Sequence, residues 1–177
     1  MKRDPVALIL RAAQFAAHKH RDQRRKGASA SPYINHPIAL ADVLRNEGGV
    51  ADPVVIAASL LHDTIEDTET SYEELRGQFG EKIADVVAEV TDTKWLDKKT
   101  RKRLQISKAA SASTAAKLVK LDDKICNLRD IVTDPPRDWS LERRRDYFDW
   151  AKAVIDRIRG TNLRLERRFD QLYRRRP

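Results

Sequence analysis

The stretch DPVVIAASLLHDTIEDT, residues 52–68, carries the clearest structural signal in the sequence. It opens on Asp52 and Pro53, a helix-capping residue followed by the residue best suited to the first helical position. From Val54 to Leu61 the stretch is almost entirely apolar, whereas a helix at a protein surface is apolar along one face. We therefore expect a helix that other parts of the chain bury on every side.

The rest of the sequence also has helical periodicity. Further helices are predicted from Pro5, from His36 to Gly48, from Ser71 to Gly80, and over residues 81–92, 98–110, 114–132, 140–159 and 161–175. No window alternates apolar and polar residues as a half-buried strand does. The chain has 177 residues, of which 41% are apolar, so it can bury one ordinary core. We predict an all-α fold, a single compact multi-helix bundle over residues 1–177.

The net charge of +8 is concentrated at the C-terminus. Residues 157–177 hold eight arginines against two acidic residues. A basic segment can bind nucleic acid, but no aromatic residues alternate with these arginines as stacking platforms do. A solvated basic helix over about 161–175 is therefore favoured, and an RNA-binding tail stays open as an alternative.

Several other classes of protein do not fit this sequence. No apolar run approaches the roughly 20 residues of a membrane span, so a membrane partner is not expected. Cys126 is the only cysteine, which excludes a disulfide framework and a thiolate zinc cluster. We expect a cytoplasmic protein, since thiols stay reduced there. The sequence carries no signal for an oligomeric state.

A cluster of ionisable residues follows the apolar helix. His62 and Glu66 are four residues apart, and so are Asp63 and Asp67, so each pair would share a face of a continuous helix. Three carboxylates and an imidazole beside a buried helix are costly unless something compensates their charge. The crowding indicates a cation site together with an acid–base group.

Two residues elsewhere complete a ligand set. His36 stands at the start of a predicted helix, and Asp123 lies in a strongly helical stretch with Asn127 one turn later. With His62 and Asp63 they make a set of nitrogen and oxygen ligands that suits Mn²⁺, Fe²⁺ or Zn²⁺. Water bound to such a metal is a strong nucleophile near neutral pH. The site would hydrolyse phosphoesters if cationic groups held the phosphates.

Basic residues near the ligand set are candidates for that role. Arg25 and Lys26 lie shortly before His36, and Lys98 precedes the Asp123 segment. Arg can bind phosphate oxygens bidentately, and Lys acts as a point charge. Most such residues are ordinary surface charge, so their assignment depends on a resemblance to known proteins.

Three segments resemble motifs of the hydrolase domain of the RelA/SpoT family, within the HD superfamily of metal-dependent phosphohydrolases. They are HRDQRRK at 20–26 with PYINHP at 32–37, ASLLHDTIEDT at 58–68, and KLVKLDDKICNL at 117–128. Their order and spacing match over nearly the whole chain. The stand-alone small alarmone hydrolases of the metazoan SpoT-homologue type are the most similar.

The resemblance implies an HD-domain bundle with a specific site. The implied ligands of Mn²⁺ are His36, His62, Asp63 and Asp123. The implied catalytic acidic pair is Glu66 and Asp67. The implied substrate site is lined by Arg25, Lys26, Tyr33, Lys98, Asn127 and Tyr147. The implied reaction removes the 3′-pyrophosphate of ppGpp or pppGpp, giving GDP or GTP and pyrophosphate, and so lowers alarmone levels in the stringent response.

Some alternatives stay open at this point. Asp122 stands where the family often has Ala, and helical register favours its neighbour Asp123 as the ligand. A phosphohydrolase acting on another nucleotide, such as NADPH, would have the same metal site. A non-catalytic domain that senses alarmone is a third reading, which the intact Glu66–Asp67 pair argues against. The chain is too short for the family's synthetase domain as well, so alarmone synthesis is not expected.

Overall fold

A computed structural model describes residues 4–177, and their regular secondary structure is helical throughout. In chain order the helices are α1 (Pro5–Lys19), α2 (Asn35–Asp42), α3 (Pro53–Leu61), α4 (Thr64–Asp67), α5 (Tyr72–Phe79), α6 (Glu81–Val90), α7 (Lys98–Ala109), α8 (Thr114–Thr133), α9 (Leu141–Ile155) and α10 (Leu163–Tyr173). Within the described residues, extended pairing is limited to two isolated bridges, Arg24 with Pro32 and Gly27 with Pro136. The predicted all-α fold is confirmed.

The helix boundaries follow local capping chemistry. The side chain of Asp52 accepts the backbone N–H of Val54 at 2.9 Å, and Ser71 accepts that of Glu74 at 3.1 Å. Gly80 ends α5 with a φ of 91°, in the left-handed region where a residue without Cβ meets no clash. Capping residues act on neighbours a few positions away, so the local sequence is sufficient to predict these helix ends.

The apolar helix α3 lies inside the bundle. Every residue from Val55 to Leu61 is buried, and α3 contacts α1, α2, α6 and α8. A helix without a polar face has no orientation in which one side meets water, so neighbours surround it. The carboxyl end of α3 consequently brings His62 into the interior, where it is buried.

The run that follows α3 is not the continuous helix that the sequence analysis expected. α3 ends at Leu61, and the short α4 begins at Thr64 after a break at His62 and Asp63. The hydroxyl of Thr64 donates to the carbonyl of Leu61 at 2.7 Å, a local bond that competes with continuation of the α3 ladder. The helical path is only partly interrupted, because the N–H of Asp67 still donates to the carbonyl of Asp63 at 2.8 Å and keeps that pair one turn apart.

α2 continues as a π-helical turn, Val43–Glu47, so this helical run ends at Gly48 as predicted. α9 differs from the prediction, because it ends at Ile155 rather than near Arg159. After α9 the chain tightens into turns in which Ile158 donates to the carbonyl of Ile155 at 3.0 Å. Among the helices of residues 4–177, none combines the length and the apolar composition that crossing a bilayer requires.

The C-terminal helix α10 belongs to the same core. Leu165, Phe169 and Leu172 are buried, and α10 contacts α8. The predicted basic helix at about 161–175 is present as Leu163–Tyr173. Its apolar face explains why an arginine-rich segment folds onto the bundle, since burial of this face offsets the loss of chain entropy.

Candidate active site

The expected metal ligands come from segments far apart in the sequence. His36 lies in the first turn of α2, His62 follows α3, and Asp123 lies in α8. Ligand atoms of these three residues all lie within 4.8 Å of one another. Nε2 of His36 is 3.3 Å from Oδ1 of Asp123, and Nε2 of His62 is 2.8 Å from Oδ2 of Asp63. The fold thus brings three candidate ligands together, and the fourth, Asp63, lies beside His62.

The hydrogen bonds of His62 fit a cation at this point. Its Nδ1 lies 2.8 Å from the carbonyl oxygen of Ser59, which can only accept, so Nδ1 carries the hydrogen. Nε2 then faces the two carboxylates, 2.8 Å from Oδ2 of Asp63 and 3.9 Å from Oδ1 of Asp123. Two carboxylates around a buried nitrogen favour a positive charge there, which a proton on Nε2 or a bound cation supplies. The donor set suits a divalent metal ion.

The charges at this point shift the pKa values of its members. Burial lowers the pKa of His62, but Asp63 and Asp123 outweigh burial and raise it to about 9. Burial raises the pKa of Asp63, but the His62 imidazole outweighs it and holds this pKa well below its usual range. Burial lowers the pKa of His36, which keeps it in the neutral form that binds metals. The carboxylates of the site therefore favour a positive charge beside them.

The structure places Asp123, not Asp122, beside the histidines. The Asp123 carboxylate accepts from Nδ2 of Asn127 at 2.6 Å and from Nζ of Lys124 at 2.8 Å. Asp122 is buried with its Oδ1 4.0 Å from Sγ of Cys126, and burial raises its pKa well above the usual range, with Asp123 adding to the effect. Adjacent residues on a helix point about 100° apart, so only one of the two can face the site.

The acidic pair of α4 lies in the same cleft, and each carboxylate has partners of its own. Oε2 of Glu66 accepts the N–H of Asp92 at 3.0 Å, and Oε1 lies 3.6 Å from the Arg101 guanidinium. Oδ1 of Asp67 lies 3.0 Å from Nζ of Lys94. Burial raises the pKa of Glu66 to about 7, against the opposing effect of the Asp92 N–H. A carboxyl with this pKa can exchange a proton near neutral pH, as general acid–base catalysis requires.

The loop between α1 and α2 supplies a cationic wall. Nη2 of Arg25 donates to Oδ1 of Asn127 at 2.9 Å and to Oδ2 of Asp130 at 2.7 Å, which ties the loop to α8. The guanidinium lies 5.6 Å from the centre of the Tyr33 ring. The Tyr33 hydroxyl donates to Oδ2 of Asp63 at 2.5 Å. Three predicted substrate residues are therefore linked to each other or to a candidate metal ligand.

A close approach holds this loop in place. A Cβ on Gly27 would lie 2.2 Å from Oδ2 of Asp134, so a side chain at this position requires the loop to move. The same carboxylate accepts from the Ser29 hydroxyl at 2.5 Å. The position of the adjacent Lys26 depends on this contact.

A cleft of about 300 Å³ contains the candidate metal ligands and the acidic pair. It also contains five of the six predicted substrate residues, namely Arg25, Lys26, Tyr33, Asn127 and Tyr147. Lys98 is the exception, because it lines a neighbouring cavity of about 360 Å³ that shares Lys26 and Tyr147 with the cleft. An extended ligand that reached from one space into the other would meet all six.

The cleft also contains polar residues that the sequence analysis missed. They are Lys120, Lys124, Asp92 and Gln105. Lys120 precedes Asp123 by about one helical turn, so helical spacing alone predicts that the two residues share a face of α8. Asp92 accepts from Nε2 of Gln105 at 2.8 Å, but the two come from a loop and from α7, and no local pattern marks them.

The basic C-terminus is partly neutralised within the fold. Its ion pairs join Arg159 to Asp170 at 2.6 Å, Arg168 to Glu47 at 2.9 Å, and Arg176 to Asp149 at 2.7 Å. These acidic partners reduce the positive potential that would attract a phosphate backbone. The RNA-binding alternative is correspondingly weakened.

Comparison with known proteins places this chain in a family. Residues 12–146 match the family described as HD domain. The chain belongs to the HD domain family. Among the curated relatives of this HD domain chain is the guanosine-3′,5′-bis(diphosphate) 3′-pyrophosphohydrolase MESH1 of Xenopus tropicalis, 51% identical over 95% of this chain and 94% of that protein. The Homo sapiens protein of the same name is 49% identical over 97% and 96% of the two chains.

A solved structure extends the comparison of this HD domain chain to three dimensions. It is described as a metazoan ortholog of SpoT that hydrolyzes ppGpp and plays a role in starvation responses. It is similar to this chain with a TM-score of 0.93 and 48% sequence identity over 96% of each chain. The family assignment drawn from the three sequence motifs is confirmed.

Proposed function

We propose that this protein hydrolyses the 3′-pyrophosphate of guanosine 3′,5′-bis(diphosphate), ppGpp, and of the corresponding pentaphosphate. The products are GDP or GTP and pyrophosphate, and the reaction lowers alarmone levels in the stringent response. The observation that carries the proposal is the His36–His62–Asp123 cluster beside Glu66 in a cleft with cationic walls. Relatives about half identical over nearly their full length, with this activity in their names, support it.

We propose Mn²⁺ as the metal, with Fe²⁺ or Zn²⁺ as substitutes. His36, His62 and Asp123 would hold it together with Asp63, since the first three have ligand atoms within 4.8 Å of one another and Asp63 adjoins His62. When bound, such an ion supplies Lewis acidity and a water of lowered pKa. Tyr33 and Asn127 orient the carboxylate ligands, because each donates to one of them at 2.5 and 2.6 Å.

The acidic pair would orient the attacking water and transfer its proton. In the reaction, a water oxygen bonds to the phosphorus that carries O3′, and the P–O3′ bond breaks with its electron pair on O3′. One proton of the water reaches O3′, and the other leaves with the pyrophosphate. Glu66 suits the transfer, because burial raises its pKa to about 7. Asp67, paired with Lys94, would orient the water.

The walls of the cleft would recognise the nucleotide. Arg25, Lys26 and Lys98 offset the negative charge of the phosphates, and they lie in the cleft or in the cavity that adjoins it. Tyr147 lies where the two spaces meet, between the candidate metal ligands and the tryptophan-lined cavity. We assign Tyr33, Asn127 and Tyr147 to the shape of the nucleoside pocket.

We also propose that residues 1–177 form one HD-type domain, including the basic C-terminal helix. The burial of Phe169 and Leu172 in the common core supports this extent. A cytoplasmic location is part of the same proposal, because a lone buried cysteine is typical of a reducing compartment.

Pyrophosphate release from ppGpp in the presence of Mn²⁺ tests the function. We expect release by the wild-type protein and none by His62→Ala. Asp67→Asn should bind the metal but lose most of its activity, and full activity with metal bound would refute its role. No release by wild-type protein with Mn²⁺ bound would refute the ppGpp assignment. In that case release of phosphate from NADPH would favour the alternative substrate.

A further inference from the structure

Lys120 is a buried lysine that the proposed mechanism does not use. It lies on α8, about one turn before Asp123, and its residue surface is 9% exposed. Its ammonium group makes no hydrogen bond or ion pair with any residue between positions 4 and 177 that the structure records. The neighbouring Lys124, by contrast, is paired with Asp123 at 2.8 Å. A buried lysine without a partner is rare, because desolvating a charge is costly.

Lys120 stands at the boundary between two spaces. On one side is the cleft that holds the candidate metal ligands. On the other is a cavity of about 500 Å³ beside α6 and α7, which we call the side cavity. Both spaces are lined by Asp92, Gln105 and Lys120. A volume of this size lies in the ordinary range for small-ligand sites, about 300–1,000 Å³.

The charges of the side cavity favour an anion. Its two acidic side chains accept from neutral donors: Glu89 from the N–H and the hydroxyl of Ser113, each at 2.6 Å, and Asp92 from Gln105 at 2.8 Å. Three cations, Arg101, Lys108 and Lys120, line the cavity against these two carboxylates, and Arg101 also pairs with Glu66 at 3.6 Å.

The charges that shift the pKa of Lys120 are consistent with an anion site. Burial lowers the pKa of Lys120, and the nearby Lys124 lowers it further, while Asp92, Asp123 and Glu66 act in the opposite direction. An anion bound between the two spaces would favour the charged form of the lysine and give it the partner that the protein does not supply.

We propose that Lys120 binds the distal phosphate of the pyrophosphoryl group, and that the side cavity receives the pyrophosphate product. This inference rests on the proposed function, since a pyrophosphoryl group is the part of ppGpp that is transferred to water. Lys120 lines both the cleft of the metal ligands and the side cavity, so a diphosphate with one phosphate at the ligands would extend its other phosphate towards Lys120. A single phosphate at the ligands would lack that second contact. Lys120 thus distinguishes a diphosphate from a single phosphate at the site.

Direct binding measurements on the Mn²⁺-loaded protein test this role without turnover. The probes are methylenediphosphonate, a diphosphate that water does not cleave, and inorganic phosphate, each titrated by calorimetry. In Lys120→Met we expect the affinity for methylenediphosphonate to fall about tenfold to a hundredfold, the loss of one charge-assisted hydrogen bond. The affinity for phosphate should change less than about threefold. Lys117→Met, the same charge change one turn earlier on α8, is the matched control and should leave both affinities unchanged.

The pattern of losses separates this role from a structural one. If Lys120 served only to offset the charges of Glu66, Asp92 and Asp123, both ligands would weaken equally, and the proposal would be overturned. Unchanged affinity for methylenediphosphonate would also overturn it. Thermal melting checks the fold of Lys120→Met, and Lys120→Gln repeats the titrations if the methionine variant melts lower than wild type. Hydrolysis of ppGpp by wild-type protein, measured separately, tests the proposed function, so the two failures are distinguishable.

Discussion

Replacing Glu66 with Gln should stabilise the protein at alkaline pH while it removes activity. Burial raises the pKa of Glu66 from an ordinary value of 4.5 to about 7, and its side chain is 20% exposed. Because the pKa is higher in the folded state, ionisation of Glu66 opposes folding. The penalty is absent below the unfolded pKa of about 4.5, grows as the pH rises, and is complete above about pH 7. At 1.36 kcal/mol per pKa unit, it amounts to about 3 kcal/mol.

Urea unfolding of metal-free wild-type and Glu66→Gln proteins measures this penalty. Gln keeps the shape of the side chain and an oxygen for the Asp92 N–H, but it carries no charge. We expect the variant to gain about 3 kcal/mol of unfolding free energy near pH 8.5 and less than about 1 kcal/mol near pH 5. The gain at alkaline pH corresponds to an increase of about 1 M or more in the urea midpoint.

Glu73 provides the matched control, because it is an exposed carboxylate on α5. Glu73→Gln should show no gain in stability as the pH rises. Turnover of ppGpp by Glu66→Gln with Mn²⁺ should fall about a hundredfold or more, the size of effect expected for a proton-transfer group. An equal stability difference near pH 5 and near pH 8.5 would refute the reasoning. It would mean that Arg101 and the Asp92 N–H compensate the Glu66 charge completely.

Three further predictions concern the support of the site. Tyr33→Phe removes the hydroxyl that donates to Asp63 at 2.5 Å, so a Mn²⁺ titration should show affinity about 10- to 100-fold lower, and unchanged affinity would contradict the support assigned to Tyr33. Gly27→Ala places a Cβ 2.2 Å from Oδ2 of Asp134, so the loop bearing Lys26 must shift, and steady-state kinetics should show a higher KM for ppGpp; an unaltered KM would show that this loop does not position substrate. Phe169→Ala truncates a side chain that is fully buried in α10, so unfolding in urea should show a loss of about 3–5 kcal/mol, whereas a loss below about 1 kcal/mol would indicate that α10 is not part of the core.

Much of the fold was predictable because its signals are local. Asp52 and Ser71 cap their helices through hydrogen bonds to residues two and three positions later. The uninterrupted apolar run of α3 predicts that this helix is buried. The break between α3 and α4 was not predicted, although Thr64 lies at it. Its hydroxyl donates to the Leu61 carbonyl and so competes with the helical backbone bond, and hydrophobic periodicity does not predict which of these two bonds forms.

The chemical types at the site follow from the amino-acid sequence alone: two histidines and neighbouring carboxylates, an acidic pair, and cationic and aromatic residues in recognisable motifs. Which of them lie together depends on the tertiary structure. The packing of α2, α3 and α8 places His36 3.3 Å from Asp123 and turns Asp122 into the core, whereas Lys98, on α7, lines a neighbouring cavity. Spacing along one helix predicts neighbours within a few residues. Contacts between helices depend on how their faces pack together, and no local stretch of sequence contains that information.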